Sequence, residues 1–147
     1  MGRHADKHRN YERQHRFWRK REIGKRLLGL HALGRDDAAP DADALADKVA
    51  NLRVFDDPAG QMNLSAVQVG GEVLVVSQFT LFGDLSRGNR PSFTDAMAPN
   101  EASRMMEDAR SLLAARVVTQ TGRFGANMTV TVENDGPVTI WIDSRRR

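Results

Sequence analysis

A chain of 147 residues, 40% of them hydrophobic, has enough apolar material for one domain with a core and too little length for two ordinary domains. It has no cysteine, which excludes a disulfide framework, a thiolate nucleophile and a cysteine zinc site; the lack of a long apolar run or apolar leader makes a cytoplasmic protein the expectation, with no membrane partner. The formal net charge of +3 is uneven, because residues 1–21 hold eight Lys or Arg against two acids, or +6, and leave −3 on the rest.

That basic leader also carries His4, His8 and His15 with Tyr11, Phe17 and Trp18. Cations that neutralise phosphates and rings that stack on bases fit an RNA-binding arm. A solvated, partly disordered tail, or sequence foreign to the fold, fits the same composition.

From Glu22 to Leu33 the apolar residues Ile23, Leu27, Leu28, Leu30 and Leu33 read as a strand, although glycines and charges disturb the period. GRDDAAP at 34–40 is a polar turn. Asp41 and Asp43 follow Pro40 as N-terminal signals, and Leu45, Val49 and Leu52 share one face, so a helix is expected over 41–53. Val54 and Phe55 lead as a short strand into the turn at 56–60, and 62–65 is an antiparallel return.

Glu72 to Leu81 changes character halfway. Val73 to Val76 read as a strand buried on both faces, but Ser77, Gln78 and Thr80 follow, polar groups that need partners or a ligand-filled cavity. The loop GDLSRGNRPS at 83–92 places Arg87 and Arg90 beside this strand end, either as a phosphate-holding loop or as a solvated one. A second helix is expected from Pro99 to about Arg116, with Met106, Ala109, Leu113 and Val117 as its core stripe. Strands over 120–124, 128–132 and 138–142 complete the chain.

The inventory restricts the chemistry. All four histidines lie at or before position 31, outside the part of the chain expected to be best ordered, which excludes a histidine base or metal cluster in the core. Ser77 and Thr80 have no evident activating base nearby in sequence. An active site here has to rely on backbone groups, positioning and the substrate's own functional groups, with no cofactor and no metal. Asn134-Asp135-Gly136-Pro137 is a turn between strands, and its Gly–Pro bond has the weak trans preference that permits a cis form.

SQFT at 77–80, GNRPSFTDA at 88–96, TGRFGANM at 121–128 and NDGPVT at 134–139 stand in the order and spacing of the D-aminoacyl-tRNA deacylases, and DADALADKVANLRVFDD at 41–57 and MNLS at 62–65 are similar to the same family. The resemblance covers about 34–143. It implies an α+β fold: a β-rich single domain with antiparallel sheets and two main helices. It also implies a homodimeric hydrolase that cleaves D-aminoacyl-tRNA, or glycine mischarged on tRNA(Ala), and releases the free amino acid.

By that resemblance Ser77, Gln78, Phe79 and Thr80 line the ester pocket, and the Phe79 backbone N–H stabilises the oxyanion. Gly136 and Pro137, in cis and from the partner subunit, capture the amino group and exclude L side chains, with Asn134 in the same motif. Phe124 and Met128 meet the terminal adenosine, and the substrate 2′-OH activates water. Thr80 is either chemical or positional, and positional is the preferred reading. The front of the chain departs from the family, which begins with a hydrophobic strand containing Gln-Arg-Val. A shifted reading frame or start explains residues 1–21 better than replacement by an RNA-binding arm. Loss of that strand would leave a sheet edge and apolar surface exposed.

Overall fold

The structure, a computed structural model, describes residues 26–145. In chain order these form β1 (Arg26–His31), α1 (Ala39–Asn51), β2 (Arg53–Asp56), β3 (Met62–Ser65), β4 (Glu72–Ser77), a 3-10 turn (Phe79–Phe82), α2 (Pro99–Ala114) and β5 (Val118–Thr121). The basic leader, with its three histidines and the proposed boundary at residue 21, lies outside the described residues.

Four consecutive apolar residues, three of them β-branched, make β4 the middle strand of a three-stranded sheet ordered β1-β4-β5. Leu27 pairs with Val73, Gly29 with Val75 and His31 with Ser77. Side chains alternate across a strand, so Val73 and Val75 face the helices, where with Ala46, Val49, Ala50, Ala66, Leu113 and Val117 they make the core. Met106 packs against this core from α2, as its helical spacing predicts.

The α+β class and the two main helices match expectation. The three-stranded sheet, however, is parallel throughout. The antiparallel pairing is confined to β2 and β3. Long connections that contain α1 and α2 separate the parallel strands, which is what parallel pairing requires.

α1 starts two residues before its sequence signals. The Asp41 carboxylate turns back to accept the Ala38 N–H at 2.9 Å, so Asp41 acts from the third helical position and Pro40 sits inside the first turn. The β2–β3 turn is organised by Asp57, whose carboxylate accepts from the Gln61 and Ala59 N–H groups and the Asn63 amide. The Gln61 bond, with those of Asn63 and Ala59, holds this carboxyl below the ordinary carboxylate range.

The expected strands at 128–132 and 138–142 do not form, and the strand expected over 120–124 is β5, already ended at Thr121. Among the described residues no strand pairs with 126–143, and without a partner a strand does not form. Val132, Ile140 and Trp141 are consequently exposed, and Leu30 on the facing side of the sheet is half open to solvent.

His31 corrects the inventory argument, because it belongs to the ordered sheet and neighbours Ser77 across the ladder. Its ring folds back over Gly29, where an added Cβ would lie 2.8 Å from Nε2. Burial lowers its pKa below the ordinary 6.5.

Two measurements check this packing. Leu113 is 1% exposed, so Leu113→Ala is expected to lower the unfolding free energy by about 2–5 kcal/mol in urea titration. Because folded His31 resists its proton while the unfolded chain accepts it, its stabilising effect is complete above about pH 6.5 and declines as pH falls from there toward the depressed folded value. The urea midpoint is expected to fall between about pH 7.5 and 5.5, and less steeply in His31→Gln.

Candidate functional site

β4 leaves the sheet at its polar end. The N–H of Gln78 donates to the His31 carbonyl at 2.7 Å, in line with the β1–β4 ladder. Then the chain coils: Leu81 N–H donates to Gln78 O at 3.2 Å and Gly83 N–H to Thr80 O at 3.0 Å. The sequence SQFTL reads as strand, but after Ser77 only coiling satisfies these backbone groups. The start of a 3-10 turn leaves its first N–H groups without partners inside the turn, and here those belong to Phe79 and Thr80.

The side chains of this segment are tied to each other. The Gln78 amide donates to Thr80 Oγ1, so the threonine hydroxyl is an acceptor held in place. Ser77 is half-buried at the strand end beside His31, whose ring points away over Gly29. The Phe79 ring is 57% exposed and meets Phe93 edge-on, with centroids 5.0 Å apart. At the far end of the turn Phe82 packs on Gly34, where a Cβ would lie 3.0 Å from Phe82 Cζ.

The loop after the turn is closed at its base. Asp84 N–H donates to Ser92 O and Ser92 N–H to Asp84 O, at 2.8 and 2.9 Å. Inside it the Asp84 carboxylate accepts from the N–H and hydroxyl of Ser86, the N–H bond first, which hold its pKa down. Arg87 and Arg90 project from the loop tip, exposed. The tip turns at Gly88, whose φ of 129° favours glycine.

The remaining site residues lie elsewhere. Phe124, Met128, Asn134 and Gly136 line a wide cleft of about 3250 Å³ between the open sheet face and 120–145, whereas Ser77, Gln78, Phe79, Thr80 and Pro137 do not line it. Gly122 lets the Met128 thioether approach: a Cβ at 122 would stand 3.0 Å from Sδ and 3.7 Å from Val76 Cγ2. Asn134 Nδ2 reaches Val138 O at 3.5 Å across the base of the Gly136-Pro137 loop. Gly136 itself has φ 133°, where a Cβ would also crowd the Val138 N at 3.2 Å.

The Gly136–Pro137 bond is trans, as are all described peptide bonds, against the cis form that the resemblance implies. Trans is the lower-energy isomer by about 0.5–1 kcal/mol for an X–Pro bond, and residues 133–141 are exposed. One chain brings Ser77 to Thr80 together at one end of the sheet and Gly136 together with Phe124, Met128 and Asn134 along the cleft. Among the described residues no group of three or more His, Asp or Glu is placed to hold a metal, and no helix is long and apolar enough to cross a membrane.

Sequence reasoning did not single out Phe93 or Phe82. The signal was present for Phe93, an aromatic following a proline in the motif GNRPSFTDA, but its partner lies 14 positions away across a loop.

The family model described as D-Tyr-tRNA(Tyr) deacylase matches residues 18–143. A D-aminoacyl-tRNA deacylase of Anaeromyxobacter dehalogenans is 53% identical over 125 residues, 84% of each chain. An inactive D-aminoacyl-tRNA deacylase of Bacillus subtilis is 48% identical over 125 residues, 84% of this chain and 95% of that one. Among solved structures, the c-Myc DNA Unwinding Element Binding Protein is similar with a TM-score of 0.75 and 34% identity, over 80% of this chain and 81% of that one. A match that runs from the leader's end through every motif segment, joined to relatives about half identical across the same span, means that the chain belongs to the D-Tyr-tRNA(Tyr) deacylase family.

Proposed function

We propose that the protein hydrolyses the ester of D-aminoacyl-tRNA, and of glycyl-tRNA mischarged on tRNA(Ala), in the cytoplasm. The observation that carries this reading is the fold of SQFT, in a chain of this family, into a turn that starts with the backbone N–H of Phe79. Water attacks the ester carbonyl carbon, the Phe79 N–H stabilises the oxyanion, and the acyl C–O bond then breaks with the tRNA oxygen leaving as a hydroxyl. The terminal 2′-OH of the substrate takes up the proton-handling role, and Thr80, which accepts from the Gln78 amide, positions the ester rather than acting on it. Ser77, Gln78 and Thr80 position the ester.

Chirality is read by main chain in the same proposal. Gly136 and Pro137 of a second copy complete the pocket of the first in a homodimer, their carbonyl oxygens meeting the amino group. The trans bond of the single chain leaves the isomer out of this reading. Backbone rather than a side chain meets the chiral centre, so an L substituent clashes and a D substituent points away. Asn134 holds the loop base, Phe124 and Met128 receive the terminal adenosine, and Arg87 and Arg90 approach phosphates.

A second reading has its own support. A relative with 48% identity carries the name of an inactive enzyme, and the segment 126–143 lacks its strands. On this reading the domain is catalytically impaired and binds tRNA through the basic leader.

Purified protein is expected to release D-tyrosine from D-Tyr-tRNA faster than the uncatalysed rate and to spare L-Tyr-tRNA. A folded protein without such release supports the second reading, which also requires salt-sensitive tRNA binding that weakens when residues 1–21 are removed. Thr80→Ala is expected to retain activity within about fivefold, the value of one neutral hydrogen bond; complete loss in a folded variant would make Thr80 a chemical participant. Pro137→Ala is expected to narrow the D-over-L ratio of kcat/KM, and an undiminished ratio would remove the Gly-Pro loop from chiral selection.

A further inference from the structure

We infer that Phe93 is a positioning residue for hydrolysis: its ring, set edge-on against Phe79, fixes the turn that presents the Phe79 N–H to the developing oxyanion. This rests on the proposed deacylase reading and adds a residue to it.

Phe79 is more exposed than buried, and among the described residues its ring contact is Phe93, at 5.0 Å and an interplanar angle of 68°. That geometry is the favoured edge-to-face one, in which a ring edge meets the negative face of its partner. A contact this open removes little area from water and lies outside the core cluster, so global stability draws little on it. It does, however, restrain the first residue of the turn, where the amide in question sits.

Phe93 is itself held firmly enough to serve as an anchor. The reciprocal Asp84–Ser92 hydrogen bonds fix the residue before it, and its own carbonyl accepts the Ala96 N–H at 3.1 Å. Ala96 in turn bridges to Gly34, beside the Phe82 contact at the other end of the turn. Gly83 gives Phe93 its room: a Cβ there would stand 3.2 Å from Phe93 Cε1 and 3.0 Å from Thr80 O. The turn is thus clasped at both ends, by Phe93 on Phe79 and by Gly34 under Phe82, and both clasps lead back to the segment that follows β1.

An oxyanion donor has to be placed before the reaction, and a displacement of about 1 Å can cost two orders of magnitude in rate. Loss of the clasp on the Phe79 side leaves the donor present but loose. The rate of the chemical step then drops while ground-state binding, spread over the rest of the substrate, persists.

The test uses the full chain with Phe93→Leu and Phe93→Tyr. Phe93→Leu is expected to lower kcat on D-Tyr-tRNA about tenfold or more, with KM changed less than about twofold and the thermal midpoint within about 3 °C. Backbone 15N order parameters at Phe79 and Thr80 are expected to fall in the same variant from the rigid range near 0.85 toward 0.6. Phe93→Tyr keeps the ring and is expected to recover both. An unchanged kcat in Phe93→Leu, a loss confined to KM, or unchanged order parameters overturns the inference. If the unmodified protein does not hydrolyse D-Tyr-tRNA, the deacylase reading fails on its own, and the order parameters still decide whether Phe93 restrains the turn.

Discussion

The hydrogen bond from Gln78 to the His31 carbonyl is the point on which the sheet and the site both depend. It follows directly from the β1–β4 ladder and fixes where β4 stops. Everything that distinguishes the polar end of β4 from an ordinary strand end comes after that bond: the coil of the 3-10 turn, the Gln78–Thr80 tie and the outward Phe79 ring. A strand that continued two residues further would turn these groups to alternate faces.

The helices supply the stiffness behind this point. Small residues on α1, with Ala46 and Ala50 almost fully buried, let the helix lie close to the β4 face that carries Val73 and Val75. α2 closes the same layer through Leu113 and Val117. The opposite face has no such cover at Leu30, and there the chain is open rather than packed. The molecule is thus rigid on the side that backs the turn, while the cleft side that carries Phe124, Met128 and the Gly-Pro loop is loosely covered. Electrostatics follow the same division: the Arg116 guanidinium, just past the end of α2, meets Asp43 of α1 at 2.7 Å, across the packed side.

Both helices, the β2–β3 return and the buried half of β4 were legible because each is written in a local pattern, a stripe or a run that its own neighbours complete. Three features were not. The end of β4 at Ser77 is decided by the coiling of the next five residues, which share their composition with a strand. The strands expected at 128–132 and 138–142 have the right residues, Val130, Val132, Val138 and Ile140, but a strand exists only with a partner, and partnership is not a local property. The nearness of His31 to Ser77 needed the register of a parallel ladder that spans 46 positions. As for the site, motif spacing picked out Ser77 to Thr80 and the Gly136-Pro137 loop without showing that Gly136 lines the cleft while Ser77 to Thr80 do not.

The reciprocal bonds between Asp84 and Ser92 make the segment between them a sealed appendage. Strain or added length at the tip, around Arg87, Gly88 and Arg90, ends at that closed pair and does not reach Phe93 or the turn. The exposed tip is thereby set apart from the packed turn that its base adjoins.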